Sequence, residues 1–412
     1  MPNGLDLAWP NEGVTRVPYQ LYTREDVYAE ERARVFMGAT WNYLCLEAEL
    51  PKPGDWRSTF VGDVPVVVAR DTDGSINAFE NRCAHRGALI CHKQSGNGAR
   101  VSCVYHGWTY DLKGNLTAVT FQRGINGKGG MPSDFKLTDH KRRTLRIATH
   151  AGLIFGSFAS TTPPLEKFLG PAIAARLTRV LPPNKTIEVL GYSSQILPSN
   201  WKLYAENVKD PYHASLLHLF FTTFRLNRLS AEGGIIIDDA GANHVSYSKA
   251  ATDRVSADYD TADLRVKSDR FRLNDPSIIH GRDEFGDGIT LQILALFPCF
   301  ISQQIQNSLC VRQLVPRGLG ETELLWTYYG FADDDAELRE LRLKQANLVG
   351  PGGYISMEDG AVGGFVQRGI TGAGRDTEVV EMGGREWRSQ ETRATESPLR
   401  GFWKTYREHM QL

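Results

Sequence analysis

The stretch Asn200 to His218, NWKLYAENVKDPYHASLLH, decides how this chain is read. It sets two imidazoles, His213 and His218, just beyond two carboxylates, Glu206 and Asp210, among aromatic and aliphatic residues that fold inward. Buried charge needs a partner. Neutral imidazole with carboxylate suits iron and zinc, and two histidines plus one carboxylate on one side of a metal form the facial triad of non-haem Fe(II) oxygenases. Trp201, Tyr204 and Val208 recur at helical intervals, so the spacing predicts a helix facing the core. An ideal helix turns about 100° per residue, so positions five apart diverge by roughly 140° and do not reach one ion. A shared metal therefore requires a π-type widening around Leu216 or a break at Pro211. Asp210 and His213 do share a face. Two plainer readings stay open on these residues alone. Asp210 before Pro211 makes a good N-cap with proline at the first helical position, and His218 can be an ordinary core histidine.

A second cluster bears on that choice. Cys83 and His85 are separated by one residue, seventeen residues follow, and Cys103 and His106 are separated by two. Two thiolates and two imidazoles can hold zinc, but zinc-finger order puts the cysteines together and the histidines together. Here each loop supplies one of each. That suits a [2Fe–2S] centre in which one iron keeps both cysteines and the other takes both histidines. Arg86 and Gly87 follow the first loop, Gly107 and Trp108 the second, and glycine lets backbone N–H groups approach cluster sulfur. Cys91 and His92 lie between the loops and read as bystanders.

The 412 residues exceed one typical core, so two domains are expected. Hydrophobic content of 41% and charged content of 23% are those of a soluble globular protein. A net charge of −1 with scattered Lys and Arg gives no reason to expect nucleic acid or an anionic membrane as partner. No apolar run approaches the roughly 20 residues of a membrane span, and MPNGLDLAWPNEG has no signal-peptide pattern, so the expected location is the cytoplasm. Six cysteines in so long a chain are not a disulfide framework. Residues 1–37 read as an arm with a helical pattern in EDVYAEERARVF, where Tyr28 and Val35 share a face. Residues 38–160 alternate as short strands, with VPVVVAR and INAFENR flanking the turn Asp71 to Gly74 as a hairpin. Residues 161–412 open with TTPPLEKFLGP, then TIEVLGYSSQIL as a strand feeding the iron stretch. Further strands follow (GGIIIDD, NHVSYSK, TLQILALF, FISQQIQNS, CVRQLVP, ETELLWTYYGF), interrupted by the polar stretch Thr252 to Gly288. An amphipathic helix is expected from Asp333 to Asn347. The fold class is α+β: an antiparallel-β first domain, then a catalytic domain whose antiparallel sheet is flanked by helices.

With CAHRGA, CVYHGWTYDLKGNL, NWKLYAENVKDPYHASLLH and SMEDGAVGGFVQRG in place, the chain resembles the large, α subunits of Rieske non-haem iron aromatic-ring-hydroxylating dioxygenases over nearly its whole length. The resemblance implies that Cys83, His85, Cys103 and His106 hold the [2Fe–2S] cluster. It further implies that His213, His218 and Asp359 hold a mononuclear Fe(II), and that Asp210 bridges the two centres across a subunit boundary. Glu358 and Asp359 are adjacent, so one of them points at the metal, and the resemblance favours Asp359. Without the histidine pair, these carboxylates read as a helix start. Asn207 is near enough in helical phase to line the site. NVKDPYHASLLHLFFTTF, GITLQIL, QQIQNS and RGFWKTYR are most similar to family members acting on terephthalate.

For substrate, Arg312 stands in the apolar run SLCVRQLV, where an unpaired guanidinium is costly. Arg393 sits in ETRATESPLRGFW. The resemblance puts both at carboxylate-binding positions with Ser246 as an accessory contact, and structural ion pairs remain the alternative for each arginine. His280, Arg225 and Phe224 are further pocket candidates. The implied activity adds both atoms of O2 to an aromatic dicarboxylate, terephthalate, giving a cis-dihydrodiol. A salicylate hydroxylase or a benzoate or anthranilate dioxygenase is the alternative. No Gly-rich dinucleotide fingerprint follows a strand, so electrons from NADH require a separate reductase. A small β subunit and an α3β3 assembly are implied by analogy. Two other classes make different predictions: an electron carrier leaves the chain beyond about residue 160 unexplained, and a zinc-structured binding module is colourless.

Overall fold

The structure, a computed structural model, describes residues 5–250 and 271–412. Its contacts divide the chain into two compact units, Phe36–Leu165 and the sequence on either side of it. The arm contributes β1 (Arg16–Pro18), α1 (Gln20–Thr23) and α2 (Glu25–Glu31), and a single π-helical turn follows at Arg32–Phe36. The face expected from Tyr28 and Val35 is corrected: Val27 and Glu31 are the fully buried residues of α2, beside Val35, while Tyr28 is half-buried. A charged residue faces the core because it has partners there, as described below.

The unit Phe36–Leu165 is built from ten short strands: β2 (Asn42–Leu46), β3 (Asp55–Val61), β4 (Val64–Arg70), β5 (Ile76–Glu80), β6 (Ser95–Asn97), β7 (Arg100–Ser102), β8 (Thr109–Asp111), β9 (Leu116–Ala118), β10 (Arg146–His150) and β11 (Leu153–Ser157). They form three antiparallel sheets, ordered β5-β4-β3-β6, β7-β8-β9 and β10-β11-β2. The hairpin expected at Asp71 to Gly74 forms, with Arg70 opposite Ile76 and Gly74 at φ 84°, a conformation glycine adopts without strain. Val67, Phe79 and Tyr110 are fully buried and pack with Trp108 and both cluster cysteines.

The other unit continues with α3 (Leu165–Val180), β12 (Ile187–Leu197), α4 (Trp201–Asn207), α5 (Ala214–Leu217), α6 (Leu219–Thr223), β13 (Gly233–Ile237) and β14 (His244–Lys249). Next come β15 (Ile289–Leu296), β16 (Phe300–Ile305), β17 (Ser308–Gly318), β18 (Glu321–Phe331), α7 (Ala336–Val349), α8 (Tyr354–Gly369), β19 (Thr377–Val379) and α9 (Ser397–Met410). Each expected strand is present, joined in one seven-stranded antiparallel sheet ordered β12-β18-β17-β16-β15-β14-β13. The expected polar stretch after Thr252 lies, as far as residue 270, outside the described residues. Helix α7 starts later than Asp333 because the Asp335 carboxylate accepts from Leu338 N and caps it there. No helix among the described residues is long and apolar enough to cross a membrane.

Register aims the sheet. Ser246 lies opposite Ile293, Ile293 opposite Gln303 and Gln303 opposite Cys310; two residues along, Ile301 lies opposite Arg312 and Arg312 opposite Trp326. Residues opposite one another, and those two apart on a strand, share a face. Ser246, Gln303, Arg312 and Trp326 therefore belong to one face.

A buried polar network ties the arm to α4. Glu31 accepts from Trp201 Nε1 (2.7 Å), Lys202 Nζ (2.6 Å) and Tyr406 Oη (2.5 Å). Breaking such a fully buried pair costs about 3–5 kcal/mol. Beside it, Tyr22 Oη lies 2.9 Å from Glu206 Oε1 and 3.1 Å from Glu378 Oε1. One hydroxyl hydrogen serves only one carboxylate, so a carboxyl of this pair keeps a proton. Burial lifts Glu206 to about 7, with hydrogen bonds from Tyr22 and Trp403 offsetting part of the effect; burial and the neighbouring Glu206 also push Glu378 up. Both folded values exceed the unfolded ones. Stability is therefore lost as pH rises from the unfolded carboxyl's value of about 4.5 to the folded value of about 7. Glu378→Gln is expected to flatten the fall in Tm between about pH 4.5 and about pH 7. A variant whose Tm falls as steeply as the native protein's shows that the pair holds no proton.

Candidate active site

The iron stretch does not run as one helix. Helix α4 buries Trp201, Lys202, Leu203, Tyr204, Ala205 and Glu206 and ends at Asn207; turns then pass through Pro211 to α5. His218 stands between α5 and α6 at φ −83° and ψ 79°, outside helical space. The break at Pro211 is present, with a second at His218, and no π widening occurs at Leu216. These breaks let residues five apart converge. His213 Nε2 and His218 Nε2 each lie 3.4 Å from Asp359 Oδ1, and the three ligand atoms fall within 4.8 Å of one another. Ligand atoms each about 2.1 Å from one ion sit roughly 3 Å apart, so two imidazoles and a carboxylate in this arrangement fit a divalent metal such as Fe(II).

Carboxylates outside the triad fix both rings. His213 Nδ1 faces Asp210 Oδ2 at 3.2 Å, and His218 Nδ1 faces Glu358 Oε2 at 2.8 Å. Each ring thereby directs Nε2 inward. Asp210 also accepts from Tyr212 N through its other oxygen (2.8 Å), so its backbone-capping role and its imidazole contact coexist. Asn207 Nδ2 donates to Asp359 Oδ1 at 3.1 Å. Burial opposes a charged His213, but its hydrogen bonds to Asp210 and Asp359 outweigh burial and push it up to about 10. A bound cation takes the place of that proton. Glu358 and Asp359 lie in the second turn of α8, so the helix-start reading does not hold. The sequence reading missed what Glu358 does, although its position beside Asp359 singled it out. Glu358→Ala is expected to weaken iron retention roughly 10- to 100-fold, with partial recovery in Glu358→Gln, measured by chelator competition. Retention equal to the native protein's contradicts this role.

The triad opens onto a cavity that is partly open to solvent. Ser246, Arg312 and Arg393 line the same cavity as His213, His218 and Asp359. Arg312 is 4% exposed, donates from Nη1 to Tyr204 Oη (2.8 Å) and lies 4.8 Å from the Trp326 ring centroid. Its Nε has no partner, and it forms no ion pair among the described residues, so the ion-pair reading fails for Arg312. Arg393 donates to Asn227 Oδ1 and to the Arg228 carbonyl. Phe224 and Arg225 line a separate depression, and the His280 carbonyl is taken by Gln345; none of the three lines this cavity. Tyr204, Gln303 and Trp326 were not foreseen. For Gln303 and Trp326 the signal lies in strand register with Arg312, and for Tyr204 in a hydrogen bond from a strand 108 residues away, neither of which a single sequence reveals.

In the other unit the two Cys-His loops repeat one geometry. Gly87 N donates to Cys83 O and Gly107 N to Cys103 O, both at 2.9 Å, with the two glycines at φ 77° and 65°. A Cβ on Gly107 would sit 2.2 Å from Thr120 Oγ1. The loops bury Cys83 and Cys103, leave His85 and His106 exposed, and bring the two Nδ1 atoms to 3.1 Å. Two buried thiols backing two facing imidazole nitrogens fit a cluster with a histidine-bound outer iron. Cys91 is held by backbone hydrogen bonds to Asn81, as expected of a bystander.

Comparison with known proteins agrees in both units. Residues 40–127 match the Rieske [2Fe-2S] domain, and residues 176–412 match the ring hydroxylating alpha subunit catalytic domain. The chain is 56% identical over 406 residues to the terephthalate 1,2-dioxygenase terminal oxygenase component subunit alpha 2 of Comamonas sp., covering 98% of this chain and 97% of that one. It is 45% identical to the anthranilate 1,2-dioxygenase large subunit of Burkholderia cepacia, covering 98% and 96%. Naphthalene 1,2-dioxygenase from Rhodococcus sp. shares the fold with a TM-score of 0.78 at 22% identity, covering 96% and 94%. Held by 56% identity over 98% of its length and by both domain matches, the chain belongs to the α subunits of Rieske aromatic-ring-hydroxylating dioxygenases and carries a [2Fe–2S] cluster and a mononuclear iron.

Proposed function

We propose that this α subunit adds both atoms of O2 to terephthalate, giving a cis-dihydrodiol. The observation that carries the reading is one cavity lined by the triad and by two buried arginines. An aromatic ring carrying para carboxylates fits two guanidinium groups, whose planar forks match carboxylate oxygens. Likeness to the Comamonas protein supports this substrate. Cys83, His85, Cys103 and His106 would hold the cluster, and His213, His218 and Asp359 the iron. When bound, these centres supply one-electron delivery and dioxygen chemistry. The protein's own part is to hold the substrate by its carboxylates, to keep both Nε2 atoms aimed inward through Asp210 and Glu358, and to brace Asp359 through Asn207.

The exposure of His85 and His106 supports delivery from one subunit's cluster to its neighbour's iron through Asp210, hence a cyclic trimer, α3β3 with a small β subunit. NADH would be the electron source through a separate reductase, and its supply makes the cytoplasm the compartment. Residues 1–37 act as an arm on the catalytic domain, 38–160 as the Rieske domain and 161–412 as the catalytic domain. A second reading has its own support. Arg393 already donates to Asn227 and to a backbone carbonyl, which leaves Arg312 to receive a single carboxylate, as for anthranilate, benzoate or salicylate. Turnover with terephthalate, isophthalate, phthalate, benzoate and salicylate tests both. Preference for terephthalate supports the first reading, and preference for a monocarboxylate supports the second.

A further inference from the structure

We propose that Gln303 is a specificity-determining residue that donates its amide N–H to the substrate carboxylate received by Arg312. This rests on the reading of the cavity as an aromatic-carboxylate site. Gln303 is 2% exposed and lines the cavity. Its amide nitrogen has no partner, and its carbonyl oxygen makes no hydrogen bond among the described residues. Burying a polar group without a partner is costly, and a wall built only to exclude water would use leucine, which is of similar size. Its neighbours along the strand and directly across are apolar or weakly polar among the described residues. Along β16 the residues two away on the same face are Ile301 and Ile305, and directly across lie Ile293 and Cys310.

Two polar residues stand diagonal to Gln303 on β17, each two residues from Cys310: Ser308, which does not line the cavity, and Arg312, which does. Diagonal positions stand roughly 7–8 Å apart, near enough for two long side chains to converge on one carboxylate. Among the described residues, Arg312 Nε and, directly across from it, Trp326 Nε1 also lack partners. This end of the cavity therefore holds three buried N–H groups and no acceptor bonded to them. The guest that satisfies them brings oxygen acceptors and negative charge. The two ends of a primary amide are nearly isosteric, so a half-turn of the Gln303 amide presents N–H to a carboxylate oxygen.

Binding of terephthalate, its monoamide and benzoate to the purified holoprotein, by titration calorimetry alongside KM and kcat, tests the proposal. Gln303→Leu is expected to weaken terephthalate binding about tenfold and to raise KM while leaving kcat nearly unchanged. Gln303→Glu puts a carboxylate against the guest's carboxylate. It is expected to weaken terephthalate about a hundredfold and to bind the monoamide, whose N–H2 it accepts, more tightly than terephthalate, reversing the native order. A merely structural role does not reverse that order. Native-like affinity for terephthalate in both variants, or the native order in Gln303→Glu, overturns the proposal and leaves the carboxylate reading standing. Failure of the native protein to bind any of the three ligands overturns both.

Discussion

His218→Ala is expected to abolish turnover, to lower iron from about three to about two atoms per chain, and to leave the cluster's absorption and EPR unchanged. His218 is 3% exposed, faces Asp359 through Nε2 and Glu358 through Nδ1, and stands between two short helices in a conformation that directs it at the metal position. Alanine removes one of three protein ligands and leaves His213 and Asp359, too few to retain a labile divalent ion. The expected loss of turnover is roughly a thousandfold or more, equivalent to about 4 kcal/mol of barrier. Cys83, His85, Cys103 and His106 lie in the other compact unit, so the cluster gives an internal control for folding. Retention of the third iron with more than about a tenth of native turnover would sink the ligand assignment.

Arg312→Ala produces the second largest effect, on substrate capture. The guanidinium is buried between Trp326 and Tyr204 with no carboxylate partner among the described residues, so its charge is left for a guest. Removing one partner of a buried charge pair costs about 2–5 kcal/mol, which corresponds to roughly a 30- to 4,000-fold rise in KM. The loss should fall on KM more than on kcat, because the contact forms before the ring reacts. Arg312→Lys should recover only part of it, since ammonium offers a point charge and no planar fork. Tyr204→Phe should reproduce a small fraction of the defect, because Tyr204 orients the guanidinium and does not bear its charge. Terephthalate KM within about threefold of native in Arg312→Ala removes the carboxylate argument.

The legible parts of this protein are those whose chemistry is local in sequence. Each Cys-His loop carries its own ligands and its turn glycine, so CAHRGA and CVYHGW announce a cluster before any fold is drawn. The strands of the large sheet were legible because apolar and polar residues alternate in runs such as NHVSYSK. The mutual geometry of His213 and His218 was legible as a contradiction: five residues on an intact helix separate them, and the chain resolves it by breaking at Pro211 and again at His218. What stayed hidden depends on register or on distant partners. Glu31 reads as a solvated charge in EDVYAEERARVF, and only Trp201, Lys202 and Tyr406, at least 170 residues away, make it a core residue. Gln303 acquires meaning only when β16 is set beside β17 in a register that puts Arg312 on its diagonal. Glu358 was weighed as a rival to Asp359, yet one turn of α8 lets the two carboxylates divide the work, one toward the metal position and one toward the back of His218.

The central claim is that each chain carries two distinct iron centres, one on the Cys-His loops and one on the His213, His218 and Asp359 triad. Iron analysis combined with EPR of the anaerobically reduced native protein tests it most directly. The account predicts about three irons per chain and a Rieske signal with average g below about 2. Two or fewer irons per chain, or a reduced sample without that signal, would contradict it.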